Sequence, residues 1–292
     1  MDRQLNSHYR QVGKILVIVL MLNWAVAVAK IVYGLIIKSS SMTADGLHSL
    51  SDGASNIIGL IGIFFASQPK DSDHPYGHKK YETFFALGIG ALLFFVAINL
   101  FKQGIGRLIH QVVPQVDIAS FAIMVATTMV NFSVMRYEAS RGRSLKSDIL
   151  VSDSLHTRAD ILTSVSVIVA LSAVKLGYPI IDPVVTILIS LFIAYAGFEI
   201  IKEGSQVLCD AIAIVDNKQV TSIVMCVKGV KACHKIRTRG RQDDINIDLH
   251  VQVAPNMHVD EAHKICYAIE DAIKKGISGV TDVVVHIEPK EK

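Results

Sequence analysis

Charged residues are scarce in this sequence. They make up 19% of the 292 residues, whereas hydrophobic residues make up 51%, and the mean hydropathy is +0.43. This composition excludes an ordinary soluble domain of the same length and indicates a protein that lies in a lipid bilayer. The net charge of +3 is small, so no nucleic-acid partner is expected.

Three sequence patterns are also absent. The four cysteines contain no C-x-x-C pair, so no disulfide framework is expected. No H-E-x-x-H pattern occurs, which argues against a membrane zinc protease, and we expect no enzymatic activity. The first apolar run is long, lacks a small-residue cleavage site and is followed by further runs, so we do not expect it to be a signal peptide.

Long apolar runs occupy the first two thirds of the chain. Each is near the roughly 20 residues that a helix needs to cross a bilayer, so the runs predict six transmembrane helices. The second and fifth runs differ from the others because they contain acids and histidines. The six runs lie at about 15–37, 41–67, 82–101, 117–135, 148–174 and 180–201.

Lysine and arginine residues concentrate on one side of the predicted membrane. They precede the first run and lie between the second and third and between the fourth and fifth runs, whereas the opposite loops carry fewer of them, namely Lys38, Lys102, Arg107 and Lys175. The positive-inside rule therefore places both termini in the cytoplasm. We expect a multi-pass protein of the cytoplasmic (inner) membrane.

The sequence pattern changes after Gly204. The remaining residues show the alternation and the amphipathic periodicity of a small soluble domain. They predict the order helix, strand, strand, helix, strand, hence a small α+β domain with its helices on one face of the sheet. We predict a transmembrane transport domain at 1–207 and a cytoplasmic domain for metal binding and dimerisation at 208–292.

Two of the predicted spans contain the same pattern, D-x-L-H-x-x-x-D, at 45–52 and 153–160. Residues four apart lie on one helical face, about one turn apart. Two histidine nitrogens and two carboxylate oxygens would suit a tetrahedral divalent ion, for which zinc is the first choice. The candidate ligands are His48, Asp52, His156 and Asp160.

A simpler interpretation is that these polar residues hydrogen-bond between helices or line a water cavity. Each ionisable group near the middle of a membrane costs at least about 2.5 kcal/mol, and this pattern occurs twice, which favours a metal site. Asp45 and Asp153 each precede a histidine by three residues. They are either accessory acids at the edge of the site or residues solvated near the end of a span.

The two motifs, the six spans and the C-terminal αββαβ order resemble the cation diffusion facilitator family, including its YiiP-like bacterial members. The resemblance covers essentially the whole chain. It implies a homodimeric metal/proton antiporter with a metallochaperone-like cytoplasmic domain, whose transport site maps onto His48, Asp52, His156 and Asp160. Histidine in both motifs favours zinc over manganese, while cadmium, cobalt and iron(II) are further candidate substrates.

The loop after the second span contains the pattern D-x-x-H-x-x-x-H, formed by Asp71, His74 and His78. By itself this pattern fits either a metal site or a polar loop with a His-Pro turn. YiiP-like proteins have a loop metal site with this spacing, so the resemblance implies metal binding here.

The resemblance also implies a regulatory metal site in the cytoplasmic domain. Strand alternation would place His286 and Glu288 on one face. Glu288 stands where YiiP-like proteins have Asp, which changes the geometry expected for a bridged two-metal site. The candidate ligands are His234, His250, His263, His286 and Glu288.

Metal binding requires neutral histidine and ionised carboxylate, so loading such a site releases protons. Because free imidazole titrates near pH 6.5, a His-Asp site can exchange a divalent ion for protons near physiological pH. We therefore expect secondary active metal efflux, with the metal ion as substrate and regulatory ligand and no other cofactor. The alternatives are a membrane-anchored metal sensor or receptor and a passive channel.

Overall fold

The protein, described here by a computed structural model, divides into two compact units, Met1–Gly204 and Ser205–Lys292. We call them the membrane unit and the sheet unit. The structure describes residues 2–36, 49–50, 53–109, 118–175, 180–210 and 215–290. The predicted transport ligands His48 and Asp52 and the predicted accessory acid Asp45 lie outside these residues.

Within these ranges, the regular secondary structure of the membrane unit is helical. The last of them runs to Leu208 and so extends past the end of the unit. The helices are α1 (Asp2–Ile36), α2 (Ala54–Ala66), α3 (Lys80–Ile109), α4 (Ile118–Leu145), α5 (Asp148–Lys175) and α6 (Ile181–Leu208).

Three of these helices contain segments that are long and apolar enough to cross a bilayer, namely Ser7–Tyr33, Lys80–Ile109 and Pro183–Leu208. The described part of α2 is apolar but has only 13 residues. α4 and α5 have 28 residues each, but charged side chains such as Glu138 and Asp160 interrupt them. The membrane character of this unit is confirmed, and the number of six spans stays a prediction.

Small residues let α2 pack closely on two other helices. A Cβ atom at Gly59 would lie 2.8 Å from Cγ2 of Ile149, and one at Gly62 would lie 2.6 Å from Cβ of Phe85. Both glycines therefore permit an approach that a larger residue would block. This packing holds α2 against α3 and against α5, the helix that carries His156.

The sheet unit has the predicted order of elements. β1 pairs antiparallel with β2, and β2 pairs parallel with β3, so the strand order is β1-β2-β3. Its elements are α7 (Asn217–Met225), β1 (Ala232–Arg241), β2 (Asp244–Val253), α8 (Val259–Gly276) and β3 (Val280–Pro289).

Side-chain caps begin both helices of the sheet unit. Asp216 accepts a hydrogen bond from the backbone N–H of Lys218 at 2.9 Å, and His258 accepts one through Nδ1 from that of Asp260 at 3.3 Å. Such caps satisfy backbone groups that have no partner within the helix. The helices cover one face of the sheet through a buried core that includes Val220, Ile247, Leu249, Ile269 and Ile273.

Candidate metal centres

Two of the four predicted transport ligands, His156 and Asp160, lie on α5. Residues four apart in a helix share one face, so the imidazole and the carboxylate are about one turn apart. His156 is buried and Asp160 is half-buried within the membrane unit. This pair offers a nitrogen and an oxygen ligand, which are both types that zinc accepts.

Asp153, one of the two predicted accessory acids, connects three helices. Nδ2 of Asn56 on α2 donates a hydrogen bond to Oδ2 of Asp153 on α5. Oδ1 of Asn56 accepts one from Nδ2 of Asn23 on α1 at 3.1 Å. Both Asn56 and Asp153 are buried. Asp153 therefore makes an interhelical hydrogen bond of the kind considered above as the simpler interpretation.

Sequence reasoning missed a fully buried glutamate on α4, Glu138. Oε2 of Glu138 accepts a hydrogen bond from Oγ1 of Thr157 at 3.1 Å, and its charged neighbours are Asp153 and Asp160. The basic residues from Arg136 onward predict a loop, but α4 continues to Leu145 and carries Glu138 into the helix packing. The sequence could have pointed to Glu138, because it is the single acid between residues 118 and 147.

The structure brings together all three predicted residues of the loop. Nδ1 of His74 lies 3.1 Å from Oδ1 of Asp71, and Nε2 of His78 lies 3.4 Å from Oδ2 of the same carboxylate. The two imidazole rings are 4.2 Å apart between centroids. Potential ligand atoms of the three residues all lie within 4.8 Å of one another, which is a spacing that one metal ion can bridge.

Asp71 also holds the turn of this loop. Its Oδ1 accepts hydrogen bonds from the backbone N–H groups of Asp73 at 3.1 Å and His74 at 2.7 Å. The bond from His74 lowers the pKa of the Asp71 carboxyl, because a hydrogen bond to the charged form favours that form. An ionised carboxylate suits a metal ligand, but the same bonds define a polar turn. The geometry is compatible with both interpretations of the pattern.

The loop leads directly into α3, and the first turn of α3 is bonded to the start of α5. Oγ of Ser147 donates to Oε1 of Glu82 at 2.5 Å, and Oγ1 of Thr83 donates to Oδ2 of Asp148 at 2.6 Å. Glu82 and Ser147 are buried. These bonds join the end of the loop to the helix that carries the transport motif.

Strand register assembles the cluster of the sheet unit. His250 on β2 lies opposite His234 on β1 and opposite His286 on β3, so three histidines form a row across the sheet. Glu288 adds a carboxylate to this row. Its Oε1 lies 2.6 Å from Nδ1 of His250, and its Oε2 lies 3.1 Å from Nε2 of His234. His234, His250 and Glu288 thus form a compact set of potential ligand atoms.

The other two predicted ligands of this unit, His286 and His263, do not belong to the compact set. Nε2 of His286 is 3.7 Å from Oε1 of Glu288, and its ring is 4.6 Å from that of His250, so it adjoins the compact set. His263 lies on α8, with its ring 4.6 Å from the ring of Tyr267, and it is not part of the set.

The hydrogen bond from His250 is the main reason that the pKa of Glu288 is lowered, and the nearby histidine charges act in the same direction. Glu288 is therefore held as a carboxylate between two imidazole groups. This donor set of two nitrogens and one oxygen fits a zinc ion, with a position left for a further ligand.

Cysteine does not contribute to either of the clusters found in the described part of the chain. All four cysteines are free thiols. Burial raises the pKa of the Cys233 and Cys266 thiols, which disfavours the thiolate form that binds metal.

Two family models match this chain. Residues 16–209 match the model described as the cation efflux transmembrane domain. Residues 215–290 match the model described as the cytoplasmic domain of cation efflux proteins.

Three relatives illustrate the similarity over the full chain. Uncharacterized transporter MJ0449 of Methanocaldococcus jannaschii is 31% identical, covering 96% of this chain and 99% of that protein. The manganese efflux system protein MneS of Bacillus subtilis is 28% identical, covering 90% of each chain. The cation-efflux pump FieF of Cronobacter sakazakii is 28% identical, covering 86% of this chain and 84% of that protein.

Proposed function

Because this chain belongs to the cation diffusion facilitator family, we propose that it exports zinc from the cytoplasm in exchange for protons. Family membership makes it a membrane transporter of divalent metal cations and not an enzyme. In our proposal it works as a homodimer in the cytoplasmic membrane, with both termini in the cytoplasm. Residues 1–207 form the transport domain and residues 208–292 the cytoplasmic domain.

The transport site in this proposal consists of His48, Asp52, His156 and Asp160. The observation that carries it is the pair of His156 and Asp160 on one face of α5, with His156 buried and Asp160 half-buried within the membrane unit. Ionisable groups are costly there unless they have partners or bind a charged ligand.

The hydrogen bond between Asn56 and Asp153 supports the same site. It fastens the start of α2 to α5. Asp52 precedes Asn56 by four residues and His48 precedes it by eight, and both belong to the copy of the motif at 45–52. The bond therefore supports a site shared by the two motif-bearing segments.

Zinc is the proposed substrate because the ligand set has two imidazole nitrogens and two carboxylate oxygens, which suits tetrahedral zinc. Manganese prefers a set richer in oxygen. MneS is named for manganese efflux. Cadmium, cobalt, iron(II) and manganese are therefore the ions against which zinc must be compared.

Proton exchange follows from the same ligands. Two imidazole groups must be neutral and two carboxyl groups ionised before the metal binds, so each loading step releases the protons that these groups held. Protons that enter from the opposite side favour release of the metal. The inward proton gradient would then drive efflux.

We assign the other clusters to metal sites outside the transport path. In the sheet unit, His234, His250 and Glu288 would hold a regulatory ion, with His286 beside them. Asp71, His74 and His78 would hold an ion in the loop.

The deciding experiment is flux in liposomes that contain the purified protein. We expect zinc transport to accelerate when an opposing proton gradient is imposed and to slow when a protonophore abolishes it. Zinc should also produce proton movement in the opposite direction. Zinc flux that ignores the proton gradient would indicate a channel, and binding without flux would indicate a sensor.

The same liposomes should be tested with zinc, cadmium, cobalt, iron(II) and manganese at equal concentrations. We expect the highest ratio of maximal rate to KM for zinc. A higher ratio for manganese would overturn the substrate assignment while leaving metal efflux intact.

A further inference from the structure

The first strand of the sheet unit, β1, contains a bulge beside the metal cluster of that unit. The pairing of β1 with β2 is regular except for a shift between His234 and Arg237. Lys235 and Ile236 are the two residues within this shift, and Leu249 of β2 is the one residue opposite them. An extra residue of this kind is a β-bulge, which bends the strand and re-aims the side chains next to it.

Lys235 accommodates the extra residue through a left-handed backbone conformation. Its φ is 50°, and its side chain is exposed. A residue other than glycine adopts this region at a cost, which is largest for β-branched side chains. Such a conformation persists where the surrounding structure enforces it, and it is typical of functional sites.

The bulge decides which face of the sheet His234 joins. Directly opposed residues of antiparallel strands lie on the same face. His250 and Asp248 of β2 lie on the face away from the buried core, with His234 opposite the first and Arg237 opposite the second. Successive side chains of a regular strand alternate between faces, so residues 234 and 237 would lie on opposite faces without the bulge.

A regular β1 would remove one ligand from the cluster. If the pairing continued through the bulge without a shift, Lys235 would lie opposite His250. His234 would then lie opposite Val251, on the core side of the sheet. Its imidazole would turn away from Glu288, whose Oε2 is now 3.1 Å from Nε2 of His234. The ammonium group of Lys235 could not replace it, because a protonated amine has no lone pair to offer a metal.

We propose that the left-handed conformation of Lys235 selects the strand register in which His234 belongs to the metal cluster, and this inference rests on the regulatory site proposed above. The bulged strand offers His234, His250 and Glu288 as ligands, whereas a regular strand would offer only the last two of them. Lys235 does not bind the metal, so it is a positioning residue. A change that disfavours its conformation weakens zinc binding without removing a ligand.

Three substitutions of Lys235 separate backbone conformation from charge. Lys235→Gly adopts a left-handed φ readily, Lys235→Asn tolerates it, and Lys235→Val is strongly disfavoured there. Valine also favours a regular strand. The charge of Lys235 acts on Glu288, and all three variants remove this charge equally. Any difference among them therefore reports the backbone and not the charge.

Zinc bound by the full-length protein in detergent is measured by equilibrium dialysis at a series of free zinc concentrations. Subtracting the curve of a His250→Ala variant gives the binding that depends on the cluster. We expect Lys235→Val to bind this zinc at least about tenfold more weakly than Lys235→Gly, a factor that corresponds to about 1.4 kcal/mol. Lys235→Asn should lie close to Lys235→Gly, because asparagine tolerates the left-handed region.

Deletion of Lys235 tests the register in the opposite sense. The shortened β1 has no extra residue, so regular pairing would again place His234 opposite His250. We expect the deletion variant to bind zinc more tightly than Lys235→Val. Binding as weak as that of Lys235→Val would contradict a role of register.

Cys233 reports the register in the absence of metal. Its half-buried side chain packs against the core side of the sheet, opposite Val251, whereas a regular β1 would turn it to the open face. We expect iodoacetamide to label Cys233 faster in metal-free Lys235→Val than in Lys235→Gly, as measured by peptide mass spectrometry. Cys266 on α8 is the internal control and should be labelled at the same rate in both variants.

Equal zinc affinity in Lys235→Val and Lys235→Gly would overturn the inference, and so would weaker binding in Lys235→Val without faster labelling of Cys233. Folding is checked by size-exclusion chromatography, and Lys235→Ala replaces Lys235→Val if that variant does not fold. If neither folds, the bulge is required for the fold rather than for the cluster, and the inference fails.

The His250→Ala variant tests the regulatory site separately. Zinc binding that is the same in this variant as in the wild type would refute the regulatory site and, with it, the role of Lys235. Loss of one bound zinc ion in His250→Ala, together with equal affinities in Lys235→Val and Lys235→Gly, would refute the role of Lys235 alone.

Discussion

The membrane unit takes its candidate ligand pair, His156 and Asp160, from one turn of a single helix, whereas the sheet unit assembles its cluster from three strands. The histidine of the first pair is buried, and the residues of the second cluster are half-exposed or exposed, with His286 63% exposed. A half-exposed cluster on a soluble domain costs little without metal. A buried one costs at least about 2.5 kcal/mol for each ionisable group near mid-membrane. We infer that the first site is required for function and that the second regulates it.

The largest effect is expected from Asp160→Ala in the membrane unit. This change removes one of the four proposed ligands of the transport site. We expect zinc flux in liposomes to fall at least about 100-fold, because even residues that only support metal ligands contribute 10- to 100-fold. The matched control is Glu203→Ala, which removes an exposed carboxylate from α6 and should leave flux unchanged. Wild-type flux in Asp160→Ala would remove this site from the transport path.

The second prediction concerns the cluster of the sheet unit, which has its own buried core. Zinc at 100 times its Kd should stabilise the fragment Ser205–Lys292 by about 2.7 kcal/mol, since it binds only the folded state. Replacing His250 and His286 together by Ala should abolish this increase in thermal unfolding measurements. His258→Ala is the control, because it removes a helix cap outside the cluster and should keep the zinc effect.

The same double variant in the full-length protein should keep proton-coupled zinc flux at a reduced rate or with a shifted metal dependence. Complete loss of flux in a folded dimer would make these histidines obligatory for transport. The inference that the membrane unit holds the required site and the sheet unit a regulatory one would then be wrong.

The third prediction concerns the bond that joins α2 to α5. Asn56→Ala leaves the buried Asp153 carboxylate without its donor, which should cost about 1–3 kcal/mol of stability and slow zinc flux. Asn23→Ala should cost less, because Asp153 keeps its donor. The thermal midpoint of each variant in detergent is the measurement. Equal losses in both variants would show that the bond to Asp153 has no special role.

The fourth prediction uses the lowered pKa of Glu288. A carboxyl with a lowered pKa in the folded state stabilises the fold above its ordinary pKa of 4.5 and loses that contribution as pH falls through the lowered value. Metal-free Ser205–Lys292 should therefore be more stable than its Glu288→Gln variant above pH 4.5. The difference should shrink as the solution is made more acidic. Urea unfolding at a series of pH values tests this, and a difference that grows toward acid would contradict it.

The smallest effect is expected in the loop. Asp71→Asn keeps an oxygen that can accept the hydrogen bonds of the turn but removes the negative charge. We expect the number of bound zinc ions per chain, measured by equilibrium dialysis, to fall by one while flux changes by less than about threefold, because charge contributes to cation binding and not to the turn. An unchanged zinc count would support the interpretation as a polar loop.

Local patterns predicted much of the site. His156 and Asp160 lie four residues apart, and helix geometry alone places them on one face. Asp71, His74 and His78 lie within eight consecutive residues, so a single turn brings them together. The sequence spacing was sufficient to predict these contacts, because only a few residues separate the side chains and few backbone conformations can connect them.

Contacts between helices were not predictable in the same way. Glu138 lies beyond the predicted end of its span, and its neighbour Thr157 belongs to another helix. The hydrogen bond between Asn56 and Asp153 joins residues 97 positions apart in the chain. Such pairs depend on how each helix is rotated and on how closely the helices pack. Glycines such as Gly62 affect the packing distance, because they permit a close approach between helices.

The amino-acid sequence was sufficient to predict that this chain enters a membrane and that a small αββαβ unit follows, and it showed that two segments repeat one motif of histidine and aspartate. Apolar length and periodicity are properties of each segment, so they can be recognised before the segments meet. That His234, His250 and Glu288 meet while His263 lies apart became visible in the folded chain, because strand register selects which distant residues become neighbours. The hydrogen bond from Lys30 on α1 to Ser49 likewise depends on helix rotation, which packing among helices determines.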